Sequence, residues 1–290
     1  MRISETDLII NGDGTCFHLH LAPEELADNV ILVGDPGRVE MVANKFDEIE
    51  YTRSNREFVT ATGQYNGKRV TVLSTGIGTD NCDIVMNELD ALANIDFSTR
   101  EIKENKRSLN ILRIGTSGAI QEDIPLGSYV FARMSLGCDG LMNWYGNIGG
   151  IERKDFAEAF KSQVGWTDRL GEPYFINAGE DMTRRFSGHA VMGITISAQG
   201  FYGPQGRILR LPLAIEELVD KFHNFEHQGQ RLTNFEMESS AIAGIGALLG
   251  HNCGTICLII AQRNNRGANT DYKKKMNELV TLALDRLTSE

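Results

Sequence analysis

The chain is short of positive charge: 29 lysines and arginines stand against 39 acidic residues, a formal net charge of −10 over 290 residues. So acidic a surface excludes a nucleic-acid backbone and an anionic membrane as general partners, since both demand a basic face. Any anion must then be held by a local cluster of arginines. Long apolar runs are also missing, and nothing approaches the length that spans a bilayer. The start, Met1-Arg2-Ile3-Ser4-Glu5, lacks the basic lead and apolar core of an export signal. A cytoplasmic protein is the expectation.

Cysteine is scarce, scattered and odd in number: Cys16, Cys82, Cys138, Cys253 and Cys257. That excludes a disulfide framework and predicts reduced, mostly buried thiols. Cys253 and Cys257 are close, but Cys257 lies in the apolar run Ile256-Cys257-Leu258-Ile259-Ile260, and no His or Cys pair elsewhere completes a zinc set, so no metal site is expected there. No Pro/Ser/Gly linker and no internal repeat divides the chain, whose 41% apolar and 23% charged residues are those of a globular protein.

Strands and helices interleave along the sequence. Asn29 to Val33 reads as a short strand, followed by a tight turn at Gly34 and a helix with Asp35 as N-cap and Pro36 at its first position. Phe58 to Thr62 and Val70 to Val72 flank Asn66-Gly67, a strong hairpin signal. A helix starts near Thr79 or Asp80 and buries Ile84, Val85, Leu89 and Leu92; the charged stretch Ser98 to Ser108 reads as an exposed connection. Further strands are expected at Asn110 to Gly115, Tyr129 to Ala132, Val191 to Ile196 and Thr255 to Ala261. Helices are expected at Leu213 to Phe225, Glu236 to Leu249 and Tyr272 to Leu287. The alternation predicts one α/β domain.

Four segments carry chemistry. Phe201-Tyr202-Gly203-Pro204-Gln205-Gly206-Arg207 sets an aromatic face, a carboxamide and a guanidinium in one loop. Gln can accept from an N–H while donating to a C=O, and Arg can donate to a second C=O, which together complement a uracil edge. The same loop also reads as an ordinary turn with a solvated Arg. Gly34-Asp35-Pro36-Gly37-Arg38, at a strand end and a helix N-terminus, suits an anion or a plain turn, and lacks the Gly-Lys-Ser/Thr of a nucleotide-binding loop. Arg113, a charge inside an apolar strand, is either in a structural salt bridge or, with Thr116 in Gly115-Thr116-Ser117-Gly118, a phosphate clamp. Asn234-Phe235-Glu236-Met237-Glu238 places two acids where a helix dipole would favour them, while a carboxylate beside a Met is also a way to hold a sugar.

Taken together, these motifs resemble the nucleoside phosphorylase family, most closely its uridine phosphorylase branch. The resemblance covers nearly the whole chain through Phe17-His18-Leu19, Gly34-Asp35-Pro36 with Arg38, Arg56-Glu57-Phe58, Ser74-Thr75-Gly76-Ile77-Gly78, Arg113-Ile114-Gly115-Thr116, Phe201-Tyr202 with Gln205 and Arg207, Phe235-Glu236-Met237-Glu238, and Arg263. It implies a central mixed, twisted sheet or distorted barrel flanked by helices. It further implies phosphate bound by Gly34, Arg38, Arg113 and Thr116, with Arg56 reaching in from a neighbouring subunit. Ribose falls to Met237 and Glu238 with the neighbour's His18, and the base to Phe201, Gln205, Arg207 and Arg263.

The implied reaction is phosphorolysis of uridine to uracil and ribose 1-phosphate, with Arg207, Gln205, Glu238 and Arg113 as the catalytic set. Phosphate is a co-substrate and no cofactor is implied; some members hold a monovalent cation such as K⁺ near residues matching Glu57 and Ser74. A homo-oligomer, a dimer at least and in bacterial relatives often a hexamer, follows from the shared sites. The rivals are a purine-directed phosphorylase or nucleosidase and a non-catalytic nucleoside sensor. Purine-directed relatives carry an acid in the loop after the late strand, where this chain reads Gln262-Arg263-Asn264-Asn265.

Overall fold

The computed structural model describes residues 2–263 and 267–289. Strand β1 (Asn29–Val33) leads into α1 (Pro36–Ala43), where Asp35 accepts from the Gly37 N–H at 2.9 Å and Pro36 opens the first turn. An edge strand, β2 (Glu48–Asn55), pairs with β3 (Phe58–Tyr65); polar and mostly exposed, it gave no hydrophobic alternation to read. β3 and β4 (Lys68–Ser74) form the expected hairpin, with Asn66 (φ 51°) and Gly67 (φ 70°) both left-handed. Helix α2 (Thr79–Asn94) buries Val85, Leu89 and Leu92 and leaves Ile84 half-buried.

The stretch from Ser98 is mostly exposed, as expected, but it closes a small hairpin of β5 (Ile95–Asp96) and β6 (Glu101–Ile102). The side chain of Asp96 ties that turn by accepting from the Ser98 and Thr99 N–H groups. After β7 (Asn110–Ala119) and β8 (Tyr129–Gly137) come α3 (Lys154–Val164), β9 (Tyr174–Asn177) and α4 (Glu180–Phe186), none of them anticipated, and then β10 (Val191–Ser197).

Two expected helices are corrected. Only Leu218–Asn224 of the Leu213–Phe225 stretch is helical (α5), because Glu217 is left-handed at φ 55° and no right-handed helix runs through it. Glu236 does not begin a helix. It ends β12 (Gln230–Glu236), which follows the short β11 (Glu226–His227), and α6 runs only from Ser239 to Leu249. Ladder pairing of Asn234 to Glu236 with β10, and of Asn234 and Phe235 with β7, outweighs the local helical preference. The chain closes with β13 (Asn252–Gln262), β14 (Gly267–Ala268) and α7 (Lys273–Thr288).

β7 organises the whole. It lies parallel to β1 and β13 and antiparallel to β12. The path β7-β13-β8-β10-β12 returns to β7 and closes a barrel, while β1, β4, β3 and β2 fan out as an open wing. This is the mixed, barrel-like α/β sheet that the motifs implied. Along β1, Val30 and Leu32 join the core under α2 and α6, and Ile31 and Val33 the core under α1, α4 and α7. Burial on both faces explains why the strand reads as an unbroken apolar run. A third core of Phe156, Phe160, Phe175, Phe222, Phe225 and Phe235 fills the space under α3 and α5.

Gly137, at the end of β8, lies directly against the buried ring of Tyr174, whose hydroxyl donates to Asp139 at 2.7 Å. A methyl group there has no room. Gly137→Ala is expected to cost about 1–3 kcal/mol through overpacking, seen as a lower urea midpoint; an unchanged midpoint would contradict this packing.

Candidate active site

The ends of β1, β4, β10, β12 and β13, with the middle of β7 running past them, open onto one cavity of about 1660 Å³. Ligands gather at such carboxyl ends because unpaired N–H groups and helix N-termini meet there. Of the expected site residues, Gly34, Arg38, Arg113, Thr116, Phe201, Gln205, Arg207, Met237, Glu238 and Arg263 all line it. Residues far apart in sequence are brought together by strand order alone.

Of the two readings of Arg113, the structure contains the salt bridge. Its Nη2 pairs with Glu238 and its Nη1 lies 3.2 Å from Glu236, and no side chain of the three is more than 6% exposed. Its Nε is buried and, among the described residues, without a hydrogen-bond partner, which costs about 1–3 kcal/mol. Gly115 makes the arrangement possible, since a Cβ there would occupy the space of the guanidinium. The structural ion pair thus fixes a guanidinium in the wall of the cavity.

Glu238 is held from a second direction. Its Oε1 accepts from the Gly78 N–H at 2.7 Å, and Gly78 sits at φ 101°, ψ 162°, a conformation suited to glycine. The Gly76-Ile77-Gly78 turn therefore contributes a backbone donor to the site. Burial pushes the Glu238 carboxyl above its ordinary value, with Arg113 opposing and Glu236 adding to the rise. Burial pulls the Arg113 guanidinium down, but Glu238 and Glu236 outweigh it and leave it raised.

Arg38 is buried beside Arg113 and donates to the Ile114 carbonyl at 3.1 Å. Burial, and then repulsion from Arg113, lowers its pKa. Two crowded guanidiniums stand beside Gly34 and the N-terminus of α1; Glu236 and Glu238 meet the charge of Arg113, while among the described residues no carboxylate pairs with Arg38, and these donors suit an oxyanion.

At the loop after β10, the Arg207 Nη1 donates to Gln205 Oε1 and to the Phe201 carbonyl, each at 2.6 Å, while its guanidinium stacks 3.7 Å from the Phe201 ring centre. Arg263 donates to the Gln205 carbonyl at 3.0 Å. Gln205 is buried, and Gly203–Gln205 form a single tight turn. The turn thus holds Gln205 and Arg207 as one interlocked group. The Gln205 side-chain carbonyl is committed to Arg207, which leaves its Nε2 as the donor for a ligand carbonyl. Burial, and then Arg263, pulls Arg207 down to about 10.

His18 and Arg56 lie outside the cavity lining. His18 Nδ1 is 2.6 Å from Glu88 Oε1, and exposed Arg56, left-handed at φ 54°, stands 5.7 Å from the Phe17 ring centre. Glu57 and Ser74 are also outside; Ser74 donates to the Glu57 carbonyl at 2.6 Å, and the Glu57 carboxylate accepts from Asn81 at 3.2 Å. Gln262 donates to the Gln121 and Ile124 carbonyls; Asn264 and Asn265 lie outside the described residues. All five cysteines are free and buried, and burial raises each thiol. Sequence reasoning missed Val219, His223 and Tyr272, which line the cavity from α5 and the start of α7 without any motif around them. It also gave Glu236 only a helix-dipole role, though its spacing from Glu238 was visible.

The oxyanion corner makes a direct expectation. Inorganic phosphate at a hundred times its Kd should stabilise the protein by about 2.7 kcal/mol, measured as a rise in Tm. Arg113→Ala should abolish that rise and lose roughly 3–5 kcal/mol by leaving two buried carboxylates unpaired. Equal phosphate-induced shifts in both proteins would remove Arg113 from the anion site.

The profile of the phosphorylase superfamily matches residues 28–289. A uridine phosphorylase of Thermococcus kodakarensis is 29% identical over 87% of this chain and 79% of its own. A purine nucleoside phosphorylase of Photobacterium profundum is 25% identical over 92% of this chain and 96% of its own. Among solved structures, a Trypanosoma brucei nucleoside phosphorylase described as showing uridine phosphorylase activity superposes with a TM-score of 0.89. It is 30% identical, over 98% of this chain and all of the other. With the match running from β1 to the end of α7, across every strand that feeds the cavity, the chain belongs to the phosphorylase superfamily.

Proposed function

We propose that the protein is a uridine phosphorylase, a pentosyltransferase that converts uridine and phosphate reversibly into uracil and ribose 1-phosphate. The observation that carries this reading is that one cavity is lined both by an arginine-rich oxyanion corner and by the interlocked Gln205–Arg207–Arg263 group. Relatives described as uridine phosphorylases support it. Arg38, Arg113, Thr116 and the Gly34 backbone would hold phosphate beneath the anomeric carbon. Met237 and Glu238 would fix the ribose through its ring and hydroxyls. As the phosphate oxygen bonds to C1′, the C1′–N1 bond breaks and its electron pair leaves with the base. Gln205 and Arg207 would stabilise the charge on the uracil oxygens, and the proton of hydrogenphosphate ends on the base.

Lowered by burial and by Arg263, Arg207 lacks an anionic partner among the described residues, and charge developing on uracil would supply one. A purine-directed reading is less well supported: Gln262 is spent on two backbone carbonyls, and Arg263 beside it is cationic. The ultraviolet spectrum of uridine should change to that of free uracil only when phosphate is present, and inosine should not react. Arg207→Ala should lower kcat by about a hundredfold with a smaller change in the KM for phosphate. Cleavage of inosine but not uridine would favour the purine enzyme, cleavage without phosphate a nucleosidase, and binding without turnover a sensor.

The working unit in this reading is at least a dimer in the cytoplasm. Free buried thiols support the compartment, and the placing of His18 and Arg56 outside their own chain's cavity supports sites completed by a neighbour. Among the described residues no helix is long and apolar enough to cross a membrane. Complementation tests the sharing. Arg56→Ala and Arg113→Ala proteins, each inactive, should regain about a quarter of wild-type activity after mixed reassembly, because half the dimers are mixed and each of those has one intact site. No recovery in dimers verified as mixed would place Arg56 outside the neighbour's site.

A further inference from the structure

We propose that Glu236 is a positioning residue that joins the phosphate corner to the ribose segment, acting through Arg113 rather than on the substrate. This rests on the phosphorolytic reading above. Glu236 ends β12, and its side chain is 1% exposed. One carboxylate oxygen accepts from the Ser197 hydroxyl at 2.6 Å and from the Ser239 N–H at 3.0 Å. The other accepts from the Glu238 N–H at 2.9 Å and the Ser239 N–H at 3.0 Å, and lies 3.2 Å from Arg113 Nη1. A single buried carboxylate therefore grips the backbone just after Met237, caps α6 and backs the guanidinium of the anion corner.

The geometry separates two duties. Capping α6 uses the backbone N–H groups and Ser197; backing Arg113 uses the remaining reach of the longer Glu side chain. Arg113 has Glu238 on Nη2 and Glu236 on Nη1, so its plane is fixed by two points. Without Glu236, one carboxylate holds the guanidinium, which is then free to turn about that contact. Glu238 would also become the only counter-charge of Arg113, tying it more tightly to the cation and away from ribose hydroxyls. Phosphate and ribose binding would weaken together, although Glu236 touches neither.

Three variants distinguish this from plain helix capping. Glu236→Asp keeps the charge, and an Asp can still accept from the N–H two residues on, as in an Asx turn, but its carboxylate is withdrawn by one methylene from Arg113. It should fold, and should raise both the Kd for inorganic phosphate, measured by calorimetry, and the KM for uridine by about tenfold. Glu236→Gln removes the charge and should weaken phosphate at least as much. Ser197→Ala removes a capping partner and leaves Arg113 backed, so it should lower Tm with phosphate Kd unchanged. Wild-type phosphate affinity in Glu236→Asp, or an equal loss in Ser197→Ala, would overturn the inference and make Glu236 a cap. Failure of the wild-type protein to bind phosphate would instead overturn the phosphorolytic reading itself.

Discussion

A single buried cation, Arg113, is the interaction on which the rest of the site depends. It enters from β7, the strand shared by barrel and wing, and meets two carboxylates from the β12–α6 junction. Removing three charges from water is costly, and a well-packed apolar cluster would be at least as stable. The arrangement makes sense as preorganisation. Ion pairs fix the guanidinium's plane, Gly115 gives it room, and Gly78 holds Glu238 from behind, so the donors stand in place before any ligand arrives. Arg38 beside it adds a second guanidinium that, among the described residues, no carboxylate pairs with.

The fold supplies this geometry through strand order. Because β1, β4, β10, β12 and β13 end beside β7, a turn after each delivers one part of the chemistry. These parts are Gly34 with α1, the Gly76–Gly78 turn, the Phe201–Arg207 loop, Met237-Glu238 and Arg263. Closure of the barrel through the β12–β7 pairing brings the Met237-Glu238 segment beside Arg113. The cost is that most of the site rests on long-range pairing and little on local propensity.

That same division decides what was legible in the sequence. Local features could be read: the Asp35 cap, the Asn66-Gly67 hairpin, the apolar runs of β1, β7 and β13, and α2 and α7 with their amphipathic faces. Features set by tertiary contacts could not. β2 is polar because it is an edge, α5 is cut short by one left-handed residue at Glu217, and Glu236 belongs to a strand because its neighbours pair on both sides. The site followed the same rule. Residue types and spacings pointed to nine of the ten lining groups and the family resemblance to Arg263, but neither pointed to Gln205 being spent on Arg207, nor to Glu236 backing Arg113. Pairings between side chains of distant strands leave no spacing to read. Val219, His223 and Tyr272 reach the cavity only because α5 and α7 pack where they do.

The proposed reaction joins these parts: phosphate held by the corner around Arg113 would form the new bond to the sugar carbon. Phosphorus-31 NMR of the protein incubated with uridine and inorganic phosphate reads that bond itself. A sugar 1-phosphate resonance should grow as inorganic phosphate declines, in step with released uracil, and should fail to appear with Arg113→Ala. Release of uracil while the inorganic phosphate signal stays constant would contradict it.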